Sequence, residues 1–271
     1  MKLKNIDHGN EFDFGRVSEV YAAYRNIYPQ NMYDKLIACG IGHDKQDIID
    51  LGSGTGVIPL NMAYTGANFT STDISENQVR YGRKLACDRN IRNIQFKVCS
   101  AEQTGFNDNS FDAALAVQCF HYFNADKAAA EIYRILRPGG RFCKVFMDWL
   151  PHEDEIISEM ESLVLKYNTN WSGYGFDTYR YNYPNWANGR FVIETIHSYN
   201  TVIEFGKKAW LGRIISCRGV GAALPQVKVN DFVEEYSAML KQYSEPLCLK
   251  HQIHIEVYRS TKEDTEYGTG S

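Results

Sequence analysis

Ile48-Ile49-Asp50-Leu51-Gly52-Ser53-Gly54-Thr55-Gly56 compresses an apolar run, an acid and three glycines at alternate positions into one short stretch. That order is what a buried strand needs if it is to pass through a tight turn into a helix, here expected over Val57 to Tyr64. The turn leaves backbone N–H groups uncovered, glycine lets a ligand approach the main chain, and the helix start adds partial positive charge. Spacing then separates the ligand classes. A phosphate-binding P-loop needs Gly-Lys followed by Ser or Thr, and that triplet is absent. The dinucleotide fingerprint G-x-G-x-x-G misses by one residue, because Gly56 is followed by Val57; dinucleotide binding is weakened but stays open.

Downstream spacing carries the argument further. Asn68 to Thr72 reads as a second strand, and Asp73 ends it 23 residues after Asp50. An acid there can accept both hydroxyls of a ribose. Ser75-Glu76-Asn77-Gln78 has the form of a capping box, so a helix is predicted from Glu76 to Asp88. Ile94, Phe96 and Val98 alternate as a third strand, followed by Ser100-Ala101-Glu102. Phe111-Asp112 opens a fourth, Ala113 to Val117, which leads to Gln118-Cys119-Phe120-His121. Asn124 caps a helix ending at Arg137, and Pro138-Gly139-Gly140 stops it before a fifth strand, Arg141 to Met147. Alternating strands and helices over 46–148 call for a parallel sheet with its ligand at the strands' carboxyl ends.

The D-L-G-x-G-x-G at Asp50 to Gly56, the acid at Asp73, the fourth-strand Phe111-Asp112 and the Leu136-Arg137-Pro138-Gly139-Gly140 stop together resemble class I S-adenosylmethionine (SAM)-dependent methyltransferases. Tyr21-x-x-Tyr24-Arg25-x-x-Tyr28-Pro29 ahead of them is similar to the N-terminal lid of small-molecule enzymes of the trans-aconitate type. The resemblance implies an α/β, Rossmann-like seven-stranded sheet, mostly parallel with one antiparallel strand, helices on both faces and a substrate cap. It implies SAM as cofactor and S-adenosylhomocysteine (SAH) as product. Asp50 would take the methionine end, Gly52, Ser53 and Gly54 the close-approach turn, and Asp73 the ribose. Ile74 would pack on the adenine, Ala101 and Glu102 would border it, and Arg25 would pair with the cofactor carboxylate. Gln118 and His121 would lie between cofactor and acceptor, with His121 the candidate base.

Competing functions are an NAD-dependent oxidoreductase and a non-catalytic SAM-binding protein. The proline pair of nucleic-acid amine methyltransferases and the two glutamates of protein arginine methyltransferases are missing after the fourth strand. A formal charge of −4 argues against binding driven by phosphate neutralisation, so no nucleic-acid partner is expected. Neither a run of 18 apolar residues nor a signal-like leader occurs, and a cytoplasmic monomer or homodimer acting on a small organic acceptor is expected. Seven cysteines without a C-x-x-C pair do not suggest zinc or disulfides. Cys119 would face the cleft, where buried packing outweighs a chemical role.

The outer parts are read more coarsely. Residues 1–45 form a lid and lead-in, with 1–10 a tail and a helix over Asn31 to Cys39. Residues 46–150 form the cofactor core, 151–260 the remaining strands and an aromatic cap, and 261–271 a disordered tail. Helices are predicted over Glu153 to Lys166, Lys207 to Arg218 and Asp231 to Tyr243, and strands over Phe191 to Phe205 and Leu247 to Arg259. Trp171, Tyr174, Phe176, Tyr179, Tyr181, Tyr183 and Trp186 either wall a substrate cleft or form the cap's own core. His251 and His254, three apart in a strand, point to opposite faces and cannot share a metal, so no metal is expected.

Overall fold

The apolar runs pair into one seven-stranded sheet in the order β3-β2-β1-β4-β5-β7-β6, seen in a computed structural model that describes residues 1–263. β1 (Asp47–Leu51), β2 (Asn68–Asp73), β3 (Ile94–Val98), β4 (Phe111–Val117) and β5 (Leu136–Trp149) are parallel. β7 (Leu247–Ser260) runs antiparallel between β5 and β6 (Phe191–Phe205), so a single strand is reversed, as expected. Ile48 and Ile49 are fully buried and lie on opposite faces, which is why β1 reads as a continuous apolar run. The chain leaves β1 toward β2 on one side and returns to β4 on the other. This opens a crevice beyond their carboxyl ends.

Helices cover both faces. α4 (Glu76–Asp88) starts where expected, with the Ser75 hydroxyl accepting from Gln78 N, and α5 (Ala125–Ile135) is capped by Asn124. α1 (Ser18–Tyr24) and α2 (Gln30–Ala38) precede the core, and α3 (Val57–Met62) follows the glycine turn and ends in a 3₁₀ turn at Ala63–Thr65. α6 (Glu155–Tyr167), α7 (Lys207–Ile215) and α8 (Gln226–Met239) build the outer layer, locked by Trp210 Nε1 donating to the Tyr236 hydroxyl at 2.6 Å.

Several boundaries differ from expectation for local reasons. β5 begins at Leu136 and not at Arg141, because Pro138-Gly139-Gly140 forms an irregularity inside the strand, with Gly139 at φ +66 and a register shift opposite Phe111 to Ala113. α8 starts at Gln226, five residues early, since Pro225 suits a helix entrance. Residues 1–10 are docked and do not form a tail. Lys2 bridges Glu11, and the buried Asp7 carboxylate accepts from Ser172 N at 2.8 Å and meets Arg218 at 2.9 Å. At the far end Thr261 N donates to Arg190 O, and Lys262 Nζ donates to the Arg134 and Leu136 carbonyls. The rest of the predicted tail, from 264, lies outside the described residues.

The aromatic stretch between α6 and β6 is regular only in a 3₁₀ turn at Asn185–Ala187 but is pinned. Trp171 and Trp186 are buried, Trp186 against Phe120 and Tyr258. The Tyr179 hydroxyl donates to the Glu256 carboxylate, while Tyr174 and Tyr183 stay exposed. His251 lies against Phe205 and Trp210 and His254 against Tyr179, on opposite faces of β7.

Candidate functional site

The crevice at the carboxyl ends of β1, β2 and β4 is a cavity of about 530 Å³. Its rear wall is the glycine turn. Gly52 and Gly54 hold φ +61 and +59, where a Cβ is strained. A Cβ at Gly52 would also stand 3.0 Å from Cys119 and Phe123, and one at Gly54 3.1 Å from the Tyr21 ring. Gly54 N donates to Asp73 Oδ2 at 2.9 Å and Ser75 N to Oδ1 at 2.8 Å. Asp73 therefore faces the cavity in a fixed orientation. Burial raises its pKa, and the amide hydrogen bonds oppose that shift.

Asp50 lies behind the turn, 1% exposed, and neither carboxylate oxygen has a partner among the described residues. Burial, followed by the nearby Asp73 charge, pushes its pKa well above the usual carboxylate range. An unpartnered buried carboxyl is costly, and a donor from a bound molecule removes that cost. Gln78 Oε1 is another buried acceptor without a partner among the described residues, and Gln78 lines the same cavity.

Ile74 is 60% exposed yet borders the cavity, as a residue waiting for a flat apolar group would. Ala101 and Glu102 form the next wall. The Glu102 carboxylate is fixed by the Ser100 hydroxyl and by Asn124 N at 2.8 Å. Gln118 also lines the cavity, in the left-handed region at φ +59, with its N–H on Val145 O and its side-chain amide on Met147 O. Such strain in a non-glycine residue is typical of functional positions. Arg25 enters from the end of α1, over the Tyr21 ring at 4.9 Å.

Two candidates sit elsewhere. The Ser53 hydroxyl turns back into the sheet, sharing a hydrogen bond with Ser71 and donating to Thr72 O. His121 is not in the cavity wall; its ring lies beside Tyr122 at 3.9 Å and Phe146 at 5.4 Å. Solvent reaches the ring, but the surrounding protein, and then the Arg218 charge, lower its pKa to about 4. Sequence reasoning missed Tyr21 as the cover of Gly54, and it missed Leu3, Asp13 and Phe14 as cavity walls. The lid motif at Tyr21 to Pro29 was a signal for Tyr21, and the aromatic Phe12-Asp13-Phe14-Gly15 lead-in for Asp13 and Phe14; Leu3 had none. Cys119 is buried in the wall and donates to Leu51 O at 3.0 Å.

Residues 49–143 match the family model described as a methyltransferase domain. A ubiquinone/menaquinone biosynthesis C-methyltransferase, UbiE, from Zymomonas mobilis is 39% identical over 98 residues, 36% of this chain and 40% of that protein. The UbiE of Brucella canis is 36% identical over 118 residues, 41% and 44% of the two chains. The match thus spans about two fifths of the curated relatives' length. The structure of the YcgJ protein from Bacillus subtilis aligns with a TM-score of 0.57 at 17% identity, over 87% of this chain and 100% of that one, a likeness of fold. Glycine turn, paired acids and matched segment coincide: residues 49–143 are similar to a methyltransferase domain, on a Rossmann-like fold.

Proposed function

We propose that the chain is a SAM-dependent methyltransferase acting on a small organic acceptor. One observation supports this reading: within the matched segment, Asp50 and Asp73 flank a glycine cradle, and the Asp50 carboxyl lacks a partner among the described residues. The residues present fit the cofactor. Asp50 would receive its α-amine, Asp73 its ribose hydroxyls, and Ile74, Ala101 and Glu102 its adenine, while Arg25 would answer its carboxylate. Ser53 would hold the turn through Ser71 and Thr72. When bound, SAM supplies a methyl group on a sulfonium. The chain's own contribution is to fix the turn, hold Gln118 at the boundary with the acceptor cleft and exclude water, so positioning supplies much of the rate. His121, neutral at physiological pH, would offer the acceptor a hydrogen-bonding ring.

In this reading residues 1–45 close over the cofactor, 46–150 hold it, and 151–260 shape the acceptor side. The protein would work in the cytoplasm as a monomer or homodimer; no helix among the described residues is long and apolar enough to cross a membrane. Calorimetry with SAM, SAH and NAD, followed by a labelled-methyl screen of hydroxyl, amine, thiol and acid acceptors, tests the proposal. SAH binding without NAD binding is expected, and the reverse overturns it.

A further inference from the structure

β6 is the sheet's edge on the side away from β3, and its 15 residues far exceed the usual length of about five or six. Its outer side is bare. Among the described residues, no main-chain group from Val192 to Glu204 is bonded to anything but β7, and none of these residues is buried. Such an edge carries unpaired N–H and C=O groups and is a template for another strand, so proteins blunt it with lysine, proline or a covering loop. Among the described residues β6 has none of these. A bulge sets Glu194 apart, its carboxylate held by Arg141 at 2.9 Å and Arg259 at 3.0 Å. From Thr195 to Phe205 there is no lysine, arginine, proline or glycine, and the single acid is the exposed Glu204. Burial and the Lys35 charge keep His197 neutral.

The two faces beside this edge differ. The Tyr199 hydroxyl donates to Asn31 Oδ1 at 3.2 Å and Cys39 Sγ stands 3.6 Å from His197 Nε2, so α2 lies along the odd-numbered side chains. On the even-numbered face Ile196 and Val202 are 38% and 56% exposed.

The run Thr195-Ile196-His197-Ser198-Tyr199-Asn200-Thr201 is close to its own reverse in chemistry, with threonine at both ends and a ring on each side of Ser198. In an antiparallel pair, residues directly opposite share a face, and a two-fold axis between them maps one strand onto the other. An axis at Ser198 sets Thr195 opposite Thr201 of the second copy and His197 opposite Tyr199 of the second copy. Hydroxyl and aromatic pairs of this kind stabilise neighbouring strands. Charges are complementary as well. Glu204 of the second copy falls near Val192, whose β7 neighbour is the half-exposed Arg259. Seven facing residues give about seven inter-strand hydrogen bonds, within the range of about 5–15 at stable interfaces.

We infer that the chain forms a two-fold homodimer in which β6 pairs antiparallel with β6 of a second copy, joining the two sheets into one. β5 and β7 separate β6 from β4, the nearest strand of the crevice. Both crevices therefore stay open, and the dimer does not depend on what they bind.

Sedimentation equilibrium of the full chain at micromolar concentration should give twice the chain mass. Ile196→Lys with Asn200→Lys puts lysine opposite lysine on both sides of the axis, and the dimer dissociation constant should rise by at least about a hundredfold. Both positions are exposed, so the circular dichroism should not change. Ile196→Glu with Asn200→Glu should also be monomeric, and mixing the two double variants should restore a dimer of one of each, which misfolded chains could not form. Ser198→Cys should give a disulfide between copies that the wild type lacks, since facing Cα atoms lie about 4.5–5.5 Å apart. A wild-type monomer, which leaves the edge to another kind of chain, overturns the inference. So does an open-ended assembly, a dimer that the lysine pair leaves intact, mixed variants that stay monomeric, or Ser198→Cys without its cross-link.

Discussion

Gly54 N donates to the Asp73 carboxylate at 2.9 Å, which joins the turn after β1 to the acid ending β2. Two features 19 residues apart are therefore one binding element, and a change at either is felt by both.

Asp73→Ala removes the acceptor for Gly54 N and Ser75 N together with the proposed ribose contact. SAH affinity should drop by about a hundredfold, the loss of two charge-assisted hydrogen bonds, measured by calorimetry. Unchanged affinity would remove the ribose role.

Asp50→Asn separates stability from binding. The folded-state pKa of Asp50 is raised, so its stabilising share is present at low pH and lost as pH rises through that value. The ligand-free variant should melt at a higher temperature than wild type at pH 8 and bind SAH more weakly. A lower melting temperature at pH 8 would show that the Asp50 carboxylate has a partner after all.

Gly54→Ala forces a Cβ into the left-handed region and to 3.1 Å from Tyr21. The backbone strain alone is about 1–2 kcal/mol, and the displaced ring intrudes on the cofactor site. Weaker SAH binding is expected with a modestly lower melting temperature; Tyr21→Ala in the same chain should recover part of the stability.

Glu131 ties the loop after β3 to α5, accepting from Thr104 N and Oγ1 and from Arg134 Nε and Nη2. Burial pushes its pKa up, but the Arg134 and Thr104 hydrogen bonds win and hold it at about 2. Its stabilisation is therefore present above the ordinary value of 4.5 and lost as pH falls toward 2. Glu131→Gln should cost about 2 kcal/mol at pH 7, read by urea unfolding, and the gap to wild type should close on acidification.

The cofactor half was legible because its signals are local. Ser75 and Asn124 cap the helices they precede, the three glycines mark the turn, β1 and β4 are apolar runs and β3 alternates. The acceptor half was not. His121 is near in sequence to the cavity wall at Gln118 and Cys119, yet its ring turns to Phe146, and no spacing rule reports a side chain's direction after a 3₁₀ turn. Ser53 sits in the motif, but its hydroxyl serves Ser71.

Chain chemistry alone determined the parallel sheet, the place of its crevice and the two acids beside it, since period, caps and glycine geometry act over a few residues. Only the tertiary structure decided which carboxyl is without a partner among the described residues, how the first ten residues dock through Asp7, and that Arg213 is buried over Trp149 and Trp210. Those facts depend on burial and on contacts between residues far apart in the chain, where desolvation and Coulomb energy are set by what packs around a group and not by its neighbours in sequence.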